Sequence, residues 1–168
     1  SQMKEAKLIG EGIILKNSYE DLQNIVLCGM GGSAIGGDLS KSLVKSSLNI
    51  PMFVNRNYSL PNWVNSNSLV IASSYSGNTE ESLAAYHEAI SKGATVIGIT
   101  TGGKLASLLD HNNNDKVLIP SGLQPRAAVA FSFIPLLYLL EKLKVTNNKV
   151  LSELDAAIEK IQSIKDVY

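Results

Sequence analysis

Short, continuously apolar runs recur along the chain with helical patterns between them, and this alternation limits the possible folds more than any other feature. Residues 25–28, 52–54, 69–72, 95–99 and 116–119 have the length and β-branched content of strands. Helical periodicity marks 34–45, 79–92, 104–109, 127–143 and 150–165, with a further helix before the first strand. Strands that are apolar at consecutive positions, such as Ile25-Val26-Leu27 and Val96-Ile97, need cover on both faces, as in a parallel sheet. The expected architecture is α/β: a doubly wound five-stranded parallel sheet flanked by helices, in the flavodoxin-like order with the first strand central. With 168 residues the chain forms a single domain, 1–168, able to bury about 70% of its unfolded surface without disulfides or structural metal.

Composition narrows the partners. The 15 basic and 15 acidic residues cancel, so no electrostatic footprint for nucleic acid or an anionic membrane surface is present. The one cysteine, Cys28, permits neither an internal disulfide nor a cysteine-based zinc cluster, and no His, Cys and carboxylate cluster has metal-ligand spacing. The first twenty residues are too charged for a signal peptide, so the expected location is the cytoplasm. The apolar stretch 127–140 is shorter than the ~20 residues that span a bilayer and contains Ser132 and Pro135, which makes it a buried helix. That helix and the C-terminal helix 150–165 are expected to offer a face to another domain or subunit, as a homodimer or with a second domain.

Ligands of open α/β sheets bind beyond the strand C-termini, and three of the five strands end in loops of unusual chemistry. After the first strand, Cys28-Gly29-Met30-Gly31-Gly32-Ser33-Ala34-Ile35-Gly36-Gly37-Asp38 turns sharply into a helix whose free amides can hold an anion without a lysine. Gly29 to Ala34 also fits the dinucleotide pattern G-x-G-x-x-G/A. The second strand instead ends in Asn55 and Arg56, where a ribose-binding carboxylate would stand; Arg56 fits only a 2′-phosphate. Cys28 reads as a small buried hydrophobe rather than a nucleophile.

After the third strand, Ser73-Ser74-Tyr75-Ser76-Gly77-Asn78-Thr79-Glu80-Glu81 places hydroxyls and a glycine at a second helix start, a neutral donor set suited to a phosphoester. Ordinary capping by Asn78 or Thr79 would explain only one or two of these residues. Glu80 and Glu81 are poor general bases, because a helix N-terminus favours the carboxylate anion. After the fifth strand, 120–128 contains Arg126, one of two arginines against thirteen lysines. Its planar, permanently charged fork suits an oxyanion or phosphate where the other two loops converge. His87, within a helix, and His111, in a polar turn, are weak candidates for chemistry.

At these loops the sequence closely resembles the bifunctional phosphoglucose/phosphomannose isomerases, built of sugar isomerase (SIS) domains. Gly29 to Asp38, Ser74 to Glu81 and Gln124-Pro125-Arg126 are similar to that family's motifs, in its order, and Arg56-Asn57-Tyr58-Ser59-Leu60-Pro61 to its connection after the second strand. The resemblance covers residues 24–143. It implies that Gly31, Gly32 and Ser33 contribute to the sugar pocket, that Ser74, Ser76 and Thr79 hold the phosphate of a hexose 6-phosphate, and that Arg126 is the catalytic cation. The implied reaction interconverts glucose 6-phosphate or mannose 6-phosphate with fructose 6-phosphate through an enediolate, with no cofactor and no metal. Family members carry two SIS domains and draw their catalytic glutamate, a histidine and a lysine from the second. No carboxylate here matches that base, nor does His87 or His111 match the histidine, so these groups are expected from a second SIS domain or chain. The competing functions are a non-catalytic, sugar-phosphate-sensing regulatory SIS module and a dinucleotide-dependent oxidoreductase.

Overall fold

The computed structural model describes residues 1–165. Helix α1 (Gln2–Glu11) precedes strand β1 (Asn24–Cys28), followed by α2 (Gly31–Val44), β2 (Met52–Asn55), β3 (Ser68–Ser74), α3 (Glu80–Ser91), β4 (Thr95–Thr100), α4 (Gly103–His111) and β5 (Asp115–Leu118). A 3-10 turn (Pro125–Ala128) leads into α5 (Val129–Lys142) and α6 (Lys149–Lys165). All neighbouring strands pair in parallel, in the order β2-β1-β3-β4-β5. The flavodoxin-like order expected from the sequence is present, except that β3 takes the middle place and β1 lies beside it.

The two-residue period of the strands divides the core. Ile25, Leu27, Leu69, Ile71, Ile97 and Ile99 face a cluster completed by α1, α2, α5 and α6. Val26, Cys28, Val70, Ala72 and Val96 face the opposite cluster under α3 and α4, where Tyr86 and Leu109 are fully buried. Every residue of β3 is buried, as its middle position requires.

Two expectations need correction. Ala127 lies in the 3-10 turn rather than in α5, because Pro125 opens a short turn that becomes α-helical only at Val129. The apolar face of α5 is not offered to a partner: Phe131, Ile134, Leu136, Leu137, Leu139 and Leu140 are buried, and the helix packs between α1 and α2. Helix α5 runs through Pro135, whose missing N–H removes one backbone bond from a largely buried segment. Helix α6 turns Val150, Leu154 and Ile158 inward and is tied to α1 by the Lys7–Asp155 pair at 2.8 Å, leaving Ile161 and Ile164 exposed. Exposed apolar side chains also form a stripe on α2, Ile35, Leu39 and Leu43. No helix among the described residues is long and apolar enough to cross a membrane.

Asp115 fastens the segment before β1 to the sheet edge. Its buried carboxylate accepts the amides of Lys16 and Asn17 at 2.9 and 3.0 Å, the Asn17 Nδ2 at 3.1 Å and the Tyr19 hydroxyl at 2.6 Å. Burial pushes the carboxyl pKa up, but these donors outweigh it and hold the group below its usual value. A carboxyl lowered in the native state stabilises the fold above its unfolded pKa of about 3.9 and loses that contribution as pH falls through the native value. Asp115→Asn is therefore expected to cost about 2 kcal/mol near neutrality, the scale of hydrogen bonds to a charged group. In melts across the acid range the gap to the parent should shrink as pH falls below about 4; a constant gap would contradict the assignment.

Candidate functional site

The C-terminal ends of β1 and β3 lie side by side, since Cys28 pairs with Ala72 and β3 runs two residues further to Ser74. The chain leaves β1 through Gly29, whose amide donates to Asn55 O at 3.1 Å, and enters α2 at Gly31 with φ +51. No side chain caps α2: Met30 occupies the N-cap position, and the Ser33 amide reaches Met30 O at 3.1 Å. Helix α2 thus begins three residues earlier than expected and presents exposed Gly31 together with Gly32 and buried Ser33 as its first turn, where amides point outward. Gly36 and Gly37 serve packing instead: a Cβ on them would lie 2.7 Å from Ser132 Cβ and 2.8 Å from Leu27 Cδ2.

In the β3–α3 loop the hydroxyls are not used as helix caps. Thr79 holds the N-cap position of α3 without a side-chain cap bond; its Oγ1 lies 2.8 Å from the Ser74 Oγ. Asn78 is engaged elsewhere, its Oδ1 accepting the Lys104 amide at 3.0 Å at the start of α4. Ser74 Oγ also accepts the Gly77 amide at 3.1 Å, and Ser76 Oγ accepts the Asn78 amide at 3.1 Å. Two hydroxyls that share one hydrogen bond keep one proton to donate, and Ser76 keeps its own. The loop can therefore present two hydroxyl donors and the amides of a helix N-terminus to an anion, with no cationic side chain of its own.

The β4–α4 loop, which the sequence analysis did not single out, holds this arrangement in place. The Thr101 amide and hydroxyl both donate to Tyr75 O, at 3.1 and 2.7 Å, and the Leu105 amide donates to Gly77 O at 2.9 Å. Its signal is the run Thr100-Thr101-Gly102-Gly103 directly after a strand, where two adjacent glycines with φ +152 and +69 let one loop lie against another.

Arg126 is exposed in the 3-10 turn, which packs against α2, and the approach to that turn meets the second loop where the Leu123 amide donates to Tyr75 Oη at 3.0 Å. The elements carrying all three predicted loops therefore converge at one end of the sheet. The two arginines differ: Arg56 pairs with Asp38, whereas Arg126 has no ion pair among the described residues.

Asn55 and Cys28 resolve as structural groups. Asn55 is buried, its Nδ2 donating to Asn57 O and Ser59 O at 3.2 and 3.1 Å, so it closes its own loop rather than facing a ribose. Burial pushes the Cys28 thiol up to about 12, which suits a hydrophobe rather than a nucleophile. His87 and His111 are exposed on α3 and α4. Among the described residues no group of three or more His, Cys, Asp or Glu is placed to hold a metal.

The sequence profile of the SIS domain matches residues 19–121. The bifunctional phosphoglucose/phosphomannose isomerase of Caldicellulosiruptor bescii is 47% identical over 167 residues, 99% of this chain and 49% of that protein. The protein of the same name from Thermoplasma acidophilum is 40% identical over 136 residues, 80% of this chain and 42% of its own length. The chain thus spans about half the length of the curated relatives it matches. Among solved structures, the Vibrio vulnificus NanR protein complexed with ManNAc-6P superposes with a TM-score of 0.61 at 19% identity, over 99% of this chain and 64% of that one, which marks a shared fold.

Proposed function

From the premise that the chain belongs to the SIS domain family, we propose that it is the sugar-phosphate-binding half of an aldose-ketose isomerase that interconverts glucose 6-phosphate or mannose 6-phosphate with fructose 6-phosphate. The observation that carries this reading is the uncapped start of α3, where Ser74, Ser76 and Thr79 leave hydroxyl protons free beside helix amides. A doubly charged phosphate fits there, because amides and hydroxyls satisfy its oxygens while the helix dipole favours its charge.

With the phosphate at that loop, Gly31, Gly32 and Ser33 in the first turn of α2, after the neighbouring strand, face the sugar hydroxyls, and Arg126 lies over the reacting end. Isomerisation moves one proton between C1 and C2 and leaves negative charge on an enediolate oxygen. A guanidinium with no ion pair among the described residues is suited to stabilise that charge. The proton needs a base, which we assign to a second SIS domain or a second copy of the chain. Glu80 and Glu81 lie at the start of α3, where the dipole stabilises the carboxylate anion rather than the acid a base must become. Phosphorylated sugars are ionic and do not cross bilayers, so this reading puts the protein in the cytoplasm.

Calorimetric titration with fructose 6-phosphate and glucose 6-phosphate, with inorganic phosphate and NADP as controls, tests the site. Hexose phosphates should bind and NADP should not. Ser76→Ala and Thr79→Val are each expected to weaken hexose-phosphate binding about tenfold, the loss of one hydrogen bond to a charged group, with the fold intact. Unchanged affinity in both variants would sink the phosphate assignment.

A further inference from the structure

Tyr75 is bonded to the loops on both of its sides. Its carbonyl accepts the amide and hydroxyl of Thr101, which fixes the β3–α3 loop to the β4–α4 loop. Its phenol points the other way and accepts the Leu123 amide at 3.0 Å, three residues before Arg126. Tyr75 and Leu123 both lie half-buried on the core cluster that contains α5. Beyond Leu123 the chain makes only the four-residue 3-10 turn, closed by the Ala127 amide on Gln124 O at 2.8 Å. So short a turn has little rigidity of its own. Its place is set by its packing against α2, by its run into the buried helix α5 and, on the side before the turn, by the Tyr75 phenol that accepts the Leu123 amide.

We infer that Tyr75 is a positioning residue that fixes Arg126 relative to the phosphate-binding loop. The inference rests on the reading above, in which Ser74, Ser76 and Thr79 hold the phosphate and Arg126 meets charge at the other end of the sugar. A hexose 6-phosphate has a limited span between its phosphate and C1, so a cation acting at C1 or C2 must stand at a set distance from the phosphate site. One residue that belongs to the phosphate loop and anchors the arginine's turn supplies that distance directly. Misplacement by about an ångström is enough to lose much of such an interaction. Phenylalanine would fill the same space on the core, so the hydroxyl alone makes the link.

The test is Tyr75→Phe, read with two compounds that span the same distance and differ in charge at C1: 6-phosphogluconate, which has a carboxylate there, and sorbitol 6-phosphate, which has a hydroxyl. The Thr101 anchor survives in the variant, so sorbitol 6-phosphate affinity should not change. Binding of 6-phosphogluconate should weaken roughly three- to tenfold, the range of one hydrogen bond. In Arg126→Ala the same change at Tyr75 should add no further loss, because the two act through one contact. Amide exchange at Leu123 should rise. Equal weakening of both compounds, additive losses with Arg126→Ala, or unchanged exchange at Leu123 would each overturn the inference. If the parent chain binds neither compound, the phosphate reading itself falls, and exchange across 122–128 alone decides whether Tyr75 holds the turn.

Discussion

Arg126→Ala, in an assembly that turns over fructose 6-phosphate, is expected to lower kcat by about 10²- to 10³-fold, the range found when one preorganised oxyanion donor is removed. Hexose-phosphate affinity should fall only a few-fold. The asymmetry follows from the geometry. The proposed phosphate site at α3 uses only neutral hydroxyl and amide donors, whereas Arg126 sits on a separate turn and has no ion pair among the described residues. A cation whose partner is charge formed during the reaction contributes to the transition state more than to the bound substrate. Arg126→Lys should recover part of the rate, since it keeps the charge and loses the planar fork. Single-turnover kinetics with calorimetry on the same variant check this; equal losses in rate and affinity would make Arg126 a phosphate clamp.

The sheet was legible because the inner strands β1, β3 and β4, buried on both faces, carry uninterrupted apolar runs, and the half-exposed edge strands β2 and β5 also lie at their runs. The strand ends were not legible. Strands β3 and β4 extend over Ser73, Ser74 and Thr100, and β5 begins at Asp115, all buried polar residues. Hydrophobic periodicity is blind to such positions: Ser74 and Thr100 bond within the loops that follow them, and Asp115 bonds residues 16–19. The covering of α5 was misread for a related reason. An apolar helix looks the same in sequence whether its own chain or another covers it, and here α1 and α2 do so.

The loops were legible through residue type. Glycines and hydroxyls clustered after β1 and β3 marked these loops by residue type, and the geometry divides them: Gly36, Gly37 and Gly77 allow close packing, whereas the hydroxyl of Thr79 does not serve as a helix cap. Thr79 is at the N-cap position but its hydroxyl turns to Ser74, and Asn78 caps a different helix. What the sequence could not show is which loops brace which. Tyr75 reads as one more hydroxyl in its motif, yet its two polar atoms bond Thr101 and Leu123, 26 and 48 residues away. The run Thr100 to Gly103 marks a loop in the sequence, but that it braces the β3–α3 loop follows only once β4 is known to lie beside β3.

Gly77→Ala is expected to destabilise the protein by about 3 kcal/mol and to abolish hexose-phosphate binding. Gly77 has φ +70, where a side chain costs about 1 kcal/mol or more. In addition, a Cβ there would lie 1.8 Å from Gly102 O and 2.7 Å from Gly102 C, backbone atoms that cannot rotate away. Either the β3–α3 loop or the β4–α4 loop must shift, and the Leu105 amide bond to Gly77 O and the Gly77 amide bond to Ser74 Oγ move with it. Gly31→Ala separates the two costs. Gly31 has φ +51 but nothing within 4 Å of its Cβ position, so alanine there should cost only the conformational part, about 1 kcal/mol. Thermal melts should place Gly77→Ala about 6–12 °C below the parent, with Gly31→Ala much nearer to it. Equal shifts would mean that the two loops are not in the close contact on which the phosphate site depends. A fully stable Gly77→Ala that still binds hexose phosphates would remove the brace from the account of the site.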